Sequence, residues 1–216
     1  MFVDSFRSGD KTIRISQYQP SNPGRHPALL LVHGSGGAVT WWLDRFAPAL
    51  LRFGVGLYAP HYFEKTGTVR ATAETILDGR HFPAWLATLQ DCVDALRTDP
   101  FVDPARIGVL GISLGGYLAI GLGASDPALR LVIELSGGVP PGFESQLSPE
   151  SPPVLVIHGE KDHVVPVSEA HKLQALLRSR NVRHQIEIFP HEDHWFSANS
   201  TPRLLMACGG FLAQYL

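Results

Sequence analysis

Three short runs of the 216-residue chain are apolar without interruption: Ala28-Leu-Leu-Leu-Val32, Ile107-Gly-Val-Leu110 and Val154-Leu-Val-Ile157. A strand with one face in water alternates apolar and polar residues. A strand covered on both faces does not, and such strands belong to parallel sheets flanked by helices. Each run ends in a Gly-containing turn, and residues 55–58, 131–135 and 185–189 read as further strands. Residues 3–7 and 12–18 read as an edge hairpin around Gly9-Asp10, for a total of about eight strands.

Between the strands lie segments of helical period. Trp85, Leu86, Leu89, Cys92, Val93 and Leu96 line one face of a helix that must stop before Pro100. Residues 114–123, 168–179 and 202–215 are predicted helices too. Strands alternating with helices imply an α/β fold, a mainly parallel sheet with helices on both faces. No repeat or composition break marks a second domain, so residues 1–216 are expected to form one domain, with residues 140–153 as a surface loop.

With 44% hydrophobic and 18% charged residues, extended disorder is excluded. A net charge of -2 without any basic block argues against a nucleic-acid partner. No run approaches the ~20 apolar residues of a bilayer span, so no membrane partner is expected. The start, Met-Phe-Val-Asp-Ser-Phe-Arg, carries neither a basic leader nor an apolar core, from which a cytoplasmic address is expected. A chain of this size needs no disulfide, and Cys92 and Cys208 read as buried, inert residues.

Gly111-Ile-Ser113-Leu-Gly115 is a G-x-S-x-G pattern set between a strand and a helix. A serine on so tight a turn is strained, and side chains two residues away on either flank would collide, which glycine avoids. The turn lifts the Ser113 hydroxyl from the sheet edge, where the first helix amides favour negative charge. The serine needs a base and a carboxylate to orient that base. Of ten histidines, His194 is placed ahead of His191 in the loop Pro190-His-Glu-Asp-His-Trp-Phe196. Asp162, in Gly159-Glu-Lys-Asp162, is the favoured carboxylate, with Glu160 and Glu134 as rivals. The chain order Ser113, Asp162, His194 suits this kind of sheet.

His33-Gly-Ser-Gly-Gly37 follows the first core strand. Val39 stands where a dinucleotide fingerprint needs its third glycine, and no Gly-Lys-Ser/Thr occurs, so phosphate cradling is disfavoured. In a hydrolase such a turn offers an N–H to the oxyanion. Ser35 is the expected donor, with Gly36 as its alternate and the Leu114 N–H as the second donor. His191-Glu-Asp-His194 misses the H-E-x-x-H spacing, and no metal or other cofactor is expected. Trp41, Tyr62, Phe143 and Trp195 are the candidates for a substrate pocket.

Taken together, His33-Gly34, Gly111-Ile-Ser-Leu-Gly115, His158-Gly-Glu-Lys-Asp162 and His194-Trp-Phe196 make the chain resemble an α/β-hydrolase, most closely the dienelactone hydrolase family. The resemblance implies Ser113 as nucleophile, His194 as base and Asp162 as its orienter. The family's namesake has cysteine in place of Ser113 and a glutamate in the loop after the first core strand. Residues 35–44, read here as that loop, contain no Glu. A serine-nucleophile member is therefore expected, a carboxylesterase acting on a small-molecule ester as monomer or homodimer. The 17 residues 137–153 are too few for the lid domain of related hydrolases, which suits small or soluble esters. A thioesterase or peptidase with the same three residues, or a catalytically silent small-ligand binder, are the alternatives.

Overall fold

The computed structural model describes residues 1–21 and 23–216. Eight strands form a sheet in the order β1-β2-β4-β3-β5-β6-β7-β8. They are β1 (Phe2–Ser8), β2 (Lys11–Tyr18), β3 (His26–Val32), β4 (Gly56–Pro60), β5 (Val102–Ile112), β6 (Val132–Leu135), β7 (Val154–Gly159) and β8 (His184–Phe189). The longer helices are α1 (Val39–Arg52), α3 (His81–Thr98), α4 (Leu114–Ser125), α5 (Ser168–Ser179) and α6 (Thr201–Tyr215), with a short α2 (Ala73–Leu77) before α3. The chain gathers into two compact units, residues 1–108 and 109–216, whose boundary falls inside β5.

In the first unit, β1 and β2 form the expected hairpin, with Ser8 opposite Lys11 and Gly9 at φ +54 in the turn. β2 runs antiparallel to β4, and β4 parallel to β3. The uninterrupted run of β3 is explained by its burial, since Ala28, Leu29, Leu30, Leu31 and Val32 are all closed to water. In α3, Trp85, Leu89, Cys92, Val93 and Leu96 are buried at helical spacing.

Residues 35–44, expected as loop, are only partly so: α1 begins at Val39 and carries Trp41 and Trp42 in its first turn. Its buried residues, Val39, Trp42, Leu43, Phe46, Ala47 and Leu50, make an i, i+3, i+4 stripe. The helix persists through Pro48, which removes one backbone donor. Burial of the Trp42, Phe46, Leu43 and Leu50 side chains outweighs that loss.

In the second unit, β5, β6, β7 and β8 are successive parallel neighbours, with Gly111 opposite Glu134 and Glu134 opposite Val156. α5 occupies Ser168–Ser179, the range its period predicts. Nothing between β6 and β7 is helix or strand, so no lid domain is present there. Among the described residues, no helix is long and apolar enough to cross a membrane.

Candidate active site

Ser113 sits between the last residue of β5 and the first of α4 at φ 58, ψ -120, a conformation that costs a non-glycine residue of order 1–3 kcal/mol. The cost is met by the surrounding backbone. The Ser113 N–H donates to the Leu135 carbonyl at 2.8 Å, and the Gly116 N–H donates to the Ser113 carbonyl at 2.8 Å. A Cβ on Gly111 would lie 1.9 Å from the Gly115 carbonyl oxygen, so only glycine permits this turn. The Ser113 side chain makes no cap bond to its own helix, which leaves the hydroxyl to another partner.

That partner is His194. Its Nε2 lies 3.0 Å from Ser113 Oγ, and its Nδ1 lies 2.8 Å from Asp162 Oδ2. The remaining carboxylate oxygen, Asp162 Oδ1, accepts the N–H groups of Val164 and Val165, each at 2.8 Å. Ser113, Asp162 and His194 are all buried. The structure thus brings into one hydrogen-bonded line three residues that the sequence singled out across 81 positions. Their rivals stand elsewhere. His191 and Glu160 are exposed, and Glu134, fully buried, takes the Gly137 N–H.

The two loops bearing Asp162 and His194 are tied together by backbone. Lys161 N–H donates to the Glu192 carbonyl at 2.9 Å, and Asp193 Oδ1 accepts the N–H of His163 at 3.0 Å and of His194 at 2.7 Å. A Cβ on Gly159 would lie 2.5 Å from the Glu192 carbonyl, which shows how closely the loops pack. The Glu192 carboxylate closes the base loop by accepting the Ser197 N–H at 2.6 Å and the Ser197 hydroxyl at 2.7 Å.

The sequence reading assigned no role to one residue that the structure sets against Asp162. His158 is closed to solvent and four residues before Asp162; its Nε2–H donates to the Val165 carbonyl at 2.8 Å and lies 3.3 Å from Asp162 Oδ2. Burial holds its pKa below the usual histidine range, so it stays neutral against the aspartate. No periodic signal marks it, because it is the next-to-last residue of β7, a strand buried along its whole length.

The oxyanion candidates lie in separate units. Leu114 opens α4, where helix amides have no carbonyl four residues back. Ser35 is half-buried in the first unit, and its carbonyl accepts the Ala71 N–H at 2.9 Å. The preceding His33 stacks on Tyr62 at 4.2 Å between centroids, and burial pulls its pKa down to about 4.

The pocket candidates divide. Trp195 is 65% exposed and stands edge-on to the His194 ring at 5.1 Å. Trp41, 54% exposed, meets Trp42 edge-on at 4.5 Å, and Phe143 is half-buried. Tyr62 is a correction: it is wholly buried, with its hydroxyl donating to the His33 carbonyl at 2.8 Å, so it packs the core instead of facing a ligand. A cleft of about 240 Å³ in the first unit, lined in part by His33, Val39, His61, Phe63 and Val69, was not legible in the sequence. Cys92 and Cys208 are buried, and burial raises both thiols. Among the described residues, no group of three or more His, Cys, Asp or Glu side chains is arranged to hold a metal ion.

Comparison with known proteins is consistent with this architecture. The dienelactone hydrolase from Anabaena variabilis superposes with a TM-score of 0.78 and 21% identity, over 100% of this chain and 97% of that one. A dienelactone hydrolase-like promiscuous phosphotriesterase from metagenomic libraries gives 0.83 and 16%, over 99% and 98%. At such identities the likeness is one of fold. A thiohydrolase of Aspergillus aculeatus is 27% identical over 127 residues, 57% of this chain and 38% of its own length. The chain spans less than half the length of the curated relatives it matches. The model of the dienelactone hydrolase family matches residues 13–208. A match over so much of the chain, on an eight-stranded sheet of this topology, makes the protein a member of the dienelactone hydrolase family, with the α/β-hydrolase fold.

Proposed function

We propose that the protein is a serine esterase that cleaves small or soluble carboxylic esters through an acyl-enzyme. The observation carrying this reading is the unbroken hydrogen-bonded line from Ser113 Oγ through the His194 ring to Asp162. With Asp162 accepting the Nδ1–H, the His194 Nε2 presents its lone pair to the hydroxyl. His194 takes the serine proton as Oγ bonds to the ester carbonyl carbon. The charge that forms on the carbonyl oxygen is met by the Leu114 N–H at the start of α4, and His194 then returns the proton to the departing alcohol. Water, activated by the same imidazole, releases the acid.

The absence of helix or strand between β6 and β7 supports an open site and a small substrate. Both cysteines are buried, which disfavours a thiol nucleophile. Thioester cleavage is the second reading, favoured by the likeness to a protein named a thiohydrolase. Specificity lives in pocket shape, so one apparatus serves either bond.

A fluorophosphonate probe tests the reading. The wild-type protein should be labelled on Ser113, and Ser113→Ala should abolish labelling while lowering kcat by roughly 10⁴ or more. Esters of increasing acyl length, acyl-CoA thioesters and peptide anilides then rank the bond types. A folded wild-type protein that neither labels nor hydrolyses any of them is a binder and not a hydrolase.

A further inference from the structure

Glu134 is a charged residue type in the middle of β6, and the mechanism above does not use it. It is 0% exposed. Its sheet neighbours, Gly111 on β5 and Val156 on β7, offer no polar side chain. Oε1 accepts a short hydrogen bond from the Gly137 N–H, and Oε2 has no partner. An ionised carboxylate so placed would be a buried charge without a counterion, among the most costly arrangements in a fold.

The groups that face it make ionisation harder still. Asp162, from the loop after β7, adds a like charge; Tyr117 of α4, pushed up to about 12 mainly by burial, stays neutral and brings no compensating charge. Among the described residues, no lysine or arginine acts on it. Burial, reinforced by Asp162 and opposed by the Gly137 N–H, pushes the Glu134 carboxyl up to about 8.

The carboxyl is also built into the serine turn. A Cβ on Gly137 would lie 2.8 Å from Glu134 Oε1, 2.9 Å from the Ser113 carbonyl oxygen and 3.0 Å from Gly116 Cα. One on Gly116 would lie 3.0 Å from the same Oε1. Ser136 enters this turn at φ 56, and its N–H donates to the Ile157 carbonyl at 2.9 Å. Glu134, residues 136–138 and the first turn of α4 therefore pack as one body around the serine.

Resting on the reading of Ser113 as nucleophile, we infer that Glu134 is a positioning residue that works only when protonated: its neutral carboxyl seats Gly137 against the serine turn, and loss of its proton disables the site at alkaline pH. The ionised form would put a second buried negative charge beside Asp162, where the transition state adds another on the substrate oxygen. It relieves that charge only by moving toward water, which takes Gly137 from its seat.

The test compares wild type with Glu134→Gln, a permanently neutral near-isostere that keeps the acceptor for Gly137. Acid release from a small aliphatic ester is followed from pH 6 to 9.5. Wild-type kcat should fall tenfold per pH unit above about 8, whereas Glu134→Gln should stay within about threefold of wild type at pH 7 and remain flat. Glu134→Leu, which lacks the acceptor, should lose kcat at every pH with KM little changed. Urea unfolding gives a readout independent of activity. The unfolded chain gives up the Glu134 proton near the ordinary carboxylate range and the folded chain near 8. Between those values the wild-type folding equilibrium should therefore weaken tenfold per pH unit relative to Glu134→Gln. A wild-type profile without an alkaline limb, or the same limb in Glu134→Gln, overturns the inference. If wild type neither labels nor hydrolyses, the esterase reading has failed by itself; the urea series then judges the buried acid, and equal slopes overturn it.

Discussion

Replacing Asp162 by Asn changes one atom and should reverse the polarity of the whole hydrogen-bonded line. The side-chain oxygen that accepts Val164 N–H and Val165 N–H, both at 2.8 Å, must remain an oxygen. Turning the amide round would set its NH₂ against two backbone donors and leave both buried, at about 1–3 kcal/mol each. The amide NH₂ is therefore forced toward His194, 2.8 Å from Nδ1. Nδ1 must then accept, the ring proton moves to Nε2, and Nε2 donates to Ser113 Oγ where it should have drawn the proton away. Loss of the working tautomer costs ~10⁴ in kcat, about 5 kcal/mol of barrier. Every backbone donor keeps its acceptor, and the stability cost should stay within about 1–3 kcal/mol, arising from the amide NH₂ that then faces the His158 Nε2–H, 3.3 Å away. Steady-state kinetics on a small ester, with nitrogen NMR to read which ring nitrogen is protonated, measures both halves. A loss below tenfold, or an Nδ1–H tautomer in the variant, would refute the argument.

Two further outcomes follow from single groups. Gly111→Ala sets a methyl 1.9 Å from a backbone carbonyl and should cost more than ~4 kcal/mol, whereas Gly209→Ala in α6, where a Cβ meets nothing within 4 Å, should stabilise by ~0.5–1 kcal/mol; urea midpoints compare them. His33, neutral in the fold down to about pH 4, is protonated in the unfolded chain below about pH 6.5, so its contribution is complete above pH 6.5 and is lost as pH falls through that window. The loss amounts to about 3 kcal/mol by pH 4, and imidazole NMR together with a flatter acid slope in His33→Asn would check it.

Much of the fold was written in local pattern. The runs at residues 28–32, 107–110 and 154–157 announced β3, β5 and β7, and the stripe from Trp85 to Leu96 announced α3. α1 escaped because its start follows a glycine cluster and Pro48 interrupts its period; its helical state is enforced by what Trp42, Leu43 and Phe46 pack against. Tyr62 was misplaced for a related reason. An aromatic just past the end of a strand has the same local signature whether it lines a pocket or, as here, fills the core with its hydroxyl satisfied.

From the primary string alone came the alternation of elements and the strained serine turn, because backbone sterics and side-chain periodicity act over a few residues. Tertiary structure decided which histidine and which carboxylate meet that serine. His191 and His194 share a loop and Glu134, Glu160 and Asp162 share a residue class, and only the closure of the loops after β7 and β8 sets His194 against Ser113 and Asp162 against His194. It decided, too, that Glu134 is closed to water beside Asp162 and that His158 lies neutral against that aspartate, since the charge state of a buried group is set by neighbours far away along the chain.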